Sequence, residues 1–138
     1  MIKDIWIMIV TAILSIATVP QAKEYHFPSL KGAYLGQKPP GMEPIVFAPG
    51  IVSTGMLVRD VAMTPEGDEL YFSAVLGNYA FTTIFCTRLL NGRWTEPATL
   101  PFMADLRYGY IEPALSSDGE KFFFASNRPL PGKPEIPG

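Results

Sequence analysis

Asp60 and Glu112 stand 52 residues apart, at matching places in two similar stretches of chain. They are the repeat-related carboxyls that lie at the strand starts rather than in the turns, and two suitably spaced carboxyls are what glycoside hydrolysis needs, one as acid and the other as base or nucleophile. Arg59, Arg107, Tyr108 and Tyr110 lie close to them in sequence and add charge and aromatic surface with which a ligand could be gripped. A plainer use of the same acids is to cap turns or to pair with neighbouring arginines in packing, because ion-pair networks are common without function.

Other chemistries find little support. The single histidine, His26, precedes the patterned part of the chain and is poorly placed to activate a serine or a thiol. Cys86 is the only cysteine, sits in an expected strand and has no histidine nearby, so it reads as a small buried hydrophobe. His-x-x-x-His pairs, cysteine pairs, Asp-rich calcium loops and phosphate-cradling glycine runs do not occur, and no metal, nucleotide or other cofactor is expected. A net charge of −2 without a Lys/Arg cluster argues against nucleic acid as a partner. Trp94 is expected to cover a sheet face rather than stack on a ligand. Asn127 and Arg128 suit bridging between sheets.

The elements that must position these residues read as strands. Short apolar runs alternate with turn signals, and no window keeps a 3.6-residue period without Gly or Pro interrupting it. A strand over 60–64 ends at Pro65-Glu66-Gly67-Asp68, where proline presets φ and glycine permits a positive one. Residues 69–75 return around the aromatic run Leu70-Tyr71-Phe72, and a loop over 76–80 leads to a third strand, 81–89, with Phe85 and Leu89 on one face and Ile84 and Cys86 on the other. Asn91-Gly92 then predicts a type I′ hairpin, which pairs 93–100 back as a fourth strand. The fold class is therefore all-β.

The pattern restarts 52 residues on when Gly67 is laid over Gly119: Ala62 falls on Ala114, Met63 on Leu115, Thr64 on Ser116, and Leu70-Tyr71-Phe72 on Phe122-Phe123-Phe124. A fainter echo of Glu43-Pro44 in Glu96-Pro97 predicts that 45–48 is a strand completing some other sheet. Glu112-Pro113-Ala114-Leu115-Ser116-Ser117-Asp118-Gly119, with the run from Phe122 to Pro129, resembles the TolB-type, WD-repeat-like β-propeller repeat, and Asn91-Gly92-Arg93-Trp94 resembles its hairpin and outer strand. The resemblance implies a partial propeller over 43–131, with one complete four-stranded blade and part of a second. It also implies a rigid platform whose rim contacts a protein or a cell-envelope polymer, and places Asp60 and Glu112 at a channel mouth. The first copy departs from the pattern in having Val75-Leu76-Gly77 where the second has Asn127-Arg128-Pro129. A fragment of a propeller-based hydrolase acting on glycan or peptide is the alternative. Blades bury their faces only against neighbours, so self-association or further blades are expected.

At the N-terminus an uncharged apolar run of 15 residues, 5–19, has the length of a secretory h-region rather than the ~20 residues of a membrane span. A signal peptide over 1–22 is expected, or else an uncleaved anchor, with membrane contact confined to that segment and a periplasmic or secreted destination. Residues 23–42 read as a polar leader over the surface, and 132–138 as a proline-rich tail where the repeat is truncated. With one cysteine, no internal disulfide staples the fold.

Overall fold

The computed structural model describes residues 26–134; the expected signal segment over 1–22 lies outside them, as does the end of the tail. Seven strands follow in chain order: β1 (Leu57–Met63), β2 (Glu69–Leu76), β3 (Phe81–Leu90), β4 (Arg93–Trp94), β5 (Ala98–Thr99), β6 (Tyr110–Leu115) and β7 (Phe122–Ser126). The described chain is all-β and antiparallel, with only two short 3-10 turns, Ala33–Gly36 and Pro101–Met103. No helix among the described residues is long and apolar enough to cross a membrane.

The first sheet is a meander, β1-β2-β3-β4, with β5 also pairing on β3. Its two long inner strands lie within one residue of the positions read from the sequence. Asn91 and Gly92 take φ of 50° and 75°, the two positive values that a type I′ turn demands. The expected fourth strand over 93–100 is instead two fragments, because Pro97 offers no N–H to the ladder. Between the fragments the Thr87 hydroxyl donates to the Thr95 carbonyl, and the Arg88 N–H donates to the Thr95 hydroxyl. β1 starts three residues before its expected first residue, since Leu57 and Val58 pair with Val75 and Ala74 beyond an irregularity at Asp60.

β6 and β7 form a second, two-stranded sheet whose backbone repeats that of β1 and β2. Met63 pairs with Leu70 and Leu115 with Phe122; Arg59 pairs with Ser73 and Ile111 with Ala125; and the register slips between Arg59 and Ala62 as it does between Ile111 and Ala114. The connecting turns repeat as well. Gly67 and Gly119 take φ of 71° and 73°, and the Thr64 and Ser116 hydroxyls accept from the N–H of Glu69 and Lys121 at 3.0 and 2.9 Å.

The two sheets stack in the same sense. Tyr110, Leu115 and Phe122 of the second correspond to Val58, Met63 and Leu70 of the first, yet they pack on the opposite face of the first, against Tyr71, Ile84 and Cys86. Tyr71 and Phe122 meet with ring centroids 4.7 Å apart. Because each face of the first sheet meets a different neighbour, β2 is buried on both sides, which explains why Leu70 to Val75 contains no charged residue.

What covers the remaining face corrects two expectations. The segment read as a surface leader packs Leu30 and Leu35 against Leu70, Phe72 and Trp94, together with Ala48 and Val52. The Trp94 indole N–H donates to the Gly32 carbonyl at 2.7 Å, and Lys31 bridges to Arg93, so residues 30–32 extend the first sheet beyond β4. Polar composition concealed this role, because a few apolar side chains suffice to cover a strand pair. Residues 45–48 are not the expected strand: Ile45 and Val46 are exposed, and the Ala48 carbonyl accepts from the N–H groups of Ile51 and Val52 in a turn. The Glu43-Pro44 echo was too short to carry a pairing partner with it.

Candidate functional site

Asp60 and Glu112 occupy the irregular position of β1 and of β6, each in the left-handed region with φ of 55° and 60°. A bulge residue leaves the strand's alternation and re-aims its side chain. Left-handed backbone is uncommon for residues other than glycine, asparagine and aspartate, so the conformation at Glu112 is the costlier of the two. It is held by a hydrogen bond from the Glu112 N–H to the Ser73 hydroxyl of the neighbouring sheet, at 3.0 Å.

Arg59 joins the two acids. Its Nε lies 2.6 Å from Asp60 Oδ2, its Nη2 lies 3.5 Å from Glu112 Oε1, and its Nη1 donates to the Tyr79 hydroxyl at 3.1 Å. Bonding to Tyr79, and then to Asp60, holds the guanidinium pKa above its ordinary value. The repeat explains why one arginine serves two acids, since the residue equivalent to Arg59 in the second hairpin is Ile111. The Asp60 side chain is 24% exposed and that of Glu112 57% exposed, so the cluster lies at the surface, where each ion pair is worth about 0–1 kcal/mol.

Beside this cluster lies a cleft of about 410 Å³ between the β2–β3 turn and the loop that precedes β6, lined by Tyr79, Thr82, Arg107, Tyr108, Ile111 and Asn127. Its walls are fixed by local bonds. Asn78 and Tyr79 both take left-handed backbone in the β2–β3 turn, and Tyr79 is exposed there. Arg107 donates to Asp105 through Nε at 3.0 Å and Nη2 at 2.8 Å, and its guanidinium carbon lies 5.2 Å from the Tyr108 ring centroid. Asn127 Oδ1 accepts from the Gly109 N–H at 2.8 Å. A Cβ at Gly109 would lie 2.5 Å from the Thr82 hydroxyl, so only glycine allows this loop to approach β3.

The Arg107 side chain, and then its backbone N–H, lower the Asp105 pKa to about 2. In the unfolded chain a carboxyl of this kind titrates near ~3.9, so the folded form gains stability that is present above that pH and is lost as pH falls through 3.9 toward 2. A carboxyl-detected NMR titration is expected to give an Asp105 midpoint near 2, with R107Q moving it up toward ~3.9. A wild-type midpoint unmoved by R107Q would show that the pair does not set the loop.

Of the residues singled out from sequence, Arg59, Asp60 and Glu112 come together, and Arg107 and Tyr108 form the far wall of the adjacent cleft. Tyr110 does not join them. Its ring is buried between the sheets against Phe124, and its hydroxyl is enclosed without a hydrogen-bond partner among the described residues. Trp94 is in the core. Arg128 Nη1 donates to the Phe102 carbonyl at 3.3 Å, tying the end of β7 to the turn after β5. Cys86 is buried, and that burial raises its thiol pKa. Tyr79 and Ser73 were missed by sequence reasoning, since neither carries a motif. The only available signal was the Gly77-Asn78 dipeptide, which invites left-handed backbone in the turn holding Tyr79.

No family model, curated protein or solved structure matches the chain.

Proposed function

We propose that the chain is an exported, non-catalytic binding module made of β-propeller-type blades, and that the cleft between Tyr79 and Tyr108 holds a segment of a protein or of a cell-envelope polymer. Support for the blade reading comes from two hairpins with one register stacked in the same sense, an arrangement that further copies can extend. The observation that carries the binding reading is the Arg59 clamp, which gathers both repeat-related acids at the rim of a cleft flanked by two tyrosines. Aromatic rings and a few fixed polar groups are the usual furniture of a ligand site.

A hydrolytic use of Asp60 and Glu112 fits the geometry less well. A general-acid carboxyl is tuned by an apolar, water-poor setting. Here both acids lie against one guanidinium, and Glu112 is largely open to solvent.

The test is an amide-detected NMR titration with a neutral oligosaccharide, an acidic oligosaccharide and an unstructured peptide in turn. One of the three is expected to shift Tyr79, Tyr108 and Asn127 together. Y108A should then weaken that ligand about tenfold, the loss of one ring contact of ~1.4 kcal/mol. Shifts scattered away from the cleft for all three, or none at millimolar concentration, would sink the proposal.

A further inference from the structure

β7 has β6 on one side, and no backbone hydrogen bond reaches its other edge from any described residue. An open edge with this composition is an invitation to pair, because Phe122 to Ser126 contains no charge and no proline to discourage it. Phe123 is 54% exposed. Phe124 and Ser126 of β7 also line a depression of about 670 Å³ together with Arg128, Pro129, Leu130 and Pro131.

The chain itself contains the occupied version of this edge. β7 repeats β2, and β2 carries β3 on the corresponding side, with Phe72 opposite Phe85, Ser73 opposite Ile84 and Ala74 opposite Thr83. Phe72 and Phe85 stack with centroids 5.7 Å apart. Carried over by the repeat, those partners fall opposite Phe124, Ala125 and Ser126. We propose that β7 binds an extended strand of a partner polypeptide, antiparallel, with an aromatic residue opposite Phe124 and β-branched residues opposite Ala125 and Ser126. Backbone bonds supply the affinity and the alternating side chains supply the register, as in other recognition by strand addition. The inference rests on the edge and the repeat, and does not depend on the cleft being a binding site.

A second copy of this chain is a poorer occupant. Pairing of β7 with its own counterpart about Phe124 would set Phe123 opposite Ala125 and Phe122 opposite Ser126, where the repeat places β-branched residues.

The probe is a synthetic peptide of the chain's own Phe81–Leu90 sequence carrying C86S, labelled for fluorescence anisotropy and paired with hydrogen exchange on the intact protein. Saturable binding is expected, with slowed exchange of amides in Phe122–Ser126 and no change in Glu69–Leu76. Two N-methylated peptides, blocking alternate sets of backbone N–H groups, make the decisive comparison. One set should weaken binding at least tenfold while the other leaves it nearly unchanged, because a strand presents alternate N–H groups to its neighbour. Equal loss from both sets, binding equal to that of a scrambled peptide, or protection of β7 in the free protein that fades on dilution would each overturn the proposal. The last of these would assign the edge to a second copy.

Discussion

W94A is expected to destabilise the protein by about 3–5 kcal/mol, the usual cost of emptying a large aromatic site in a core. Two losses combine. The ring is almost wholly buried among Leu35, Ala48, Leu70 and Phe72, and its indole N–H is the partner of the Gly32 carbonyl. The damage should be local first, since the Trp94 backbone N–H also donates to the Leu30 carbonyl, beside the Lys31–Arg93 bridge through which residues 30–32 join the sheet. Hydrogen exchange should therefore show the amide of Trp94 and those of the Leu30 to Leu35 segment losing protection at lower denaturant than the β2–β3 amides. W94F, which keeps an aromatic ring but loses the N–H and part of the indole's volume, should cost less, about 1–3 kcal/mol. A cost below ~1 kcal/mol for W94A, measured by chemical denaturation, would mean that the N-terminal segment is not part of the core.

I84A probes the other face and should cost about 2–5 kcal/mol. Ile84 is fully buried in the layer shared by Tyr71, Cys86, Leu100, Met103 and Tyr110, so the cavity opens between the two sheets rather than within one. The β6–β7 hairpin has only two strands and depends on this contact for its stability, as isolated hairpins are marginal in water. Amides of β6 and β7 should then open in I84A while β2 and β3 remain protected. Uniform loss across both sheets would show instead that they unfold as one unit. I45A, at an exposed position, serves as the control and should stay within ~0.5 kcal/mol of wild type.

Tyr71 illustrates how packing turns an ordinary polar group into a fixed one. Its hydroxyl donates to Glu69, whose carboxylate also accepts from Arg88 Nε at 2.6 Å. Burial first, and the Glu69 bond second, raise the phenol pKa. This linked set ties β2 to β3 at the edge of the inter-sheet layer, a structural role.

Local sequence decided the parts of this protein whose cause is local. Asn91-Gly92 has to turn because both residues tolerate positive φ, Gly67 and Gly119 do so for the same reason, and the aromatic runs at Leu70 and Phe122 are strands because branched and aromatic side chains fit a pleated surface. The repeat of 52 residues was legible too, since equivalent backbone paths require equivalent side chains at turns and in the core. Three things were settled only by the tertiary structure. The N-terminal segment became a sheet cover because Leu30 and Leu35 pack on the Phe72 face; Tyr110 went into the core because the second hairpin stacks with that face inward; and Glu112 met Arg59 because stacking brought the two bulges together. Each depends on which surface lies against which, and residues distant in sequence acquire that relation only once the sheets have packed.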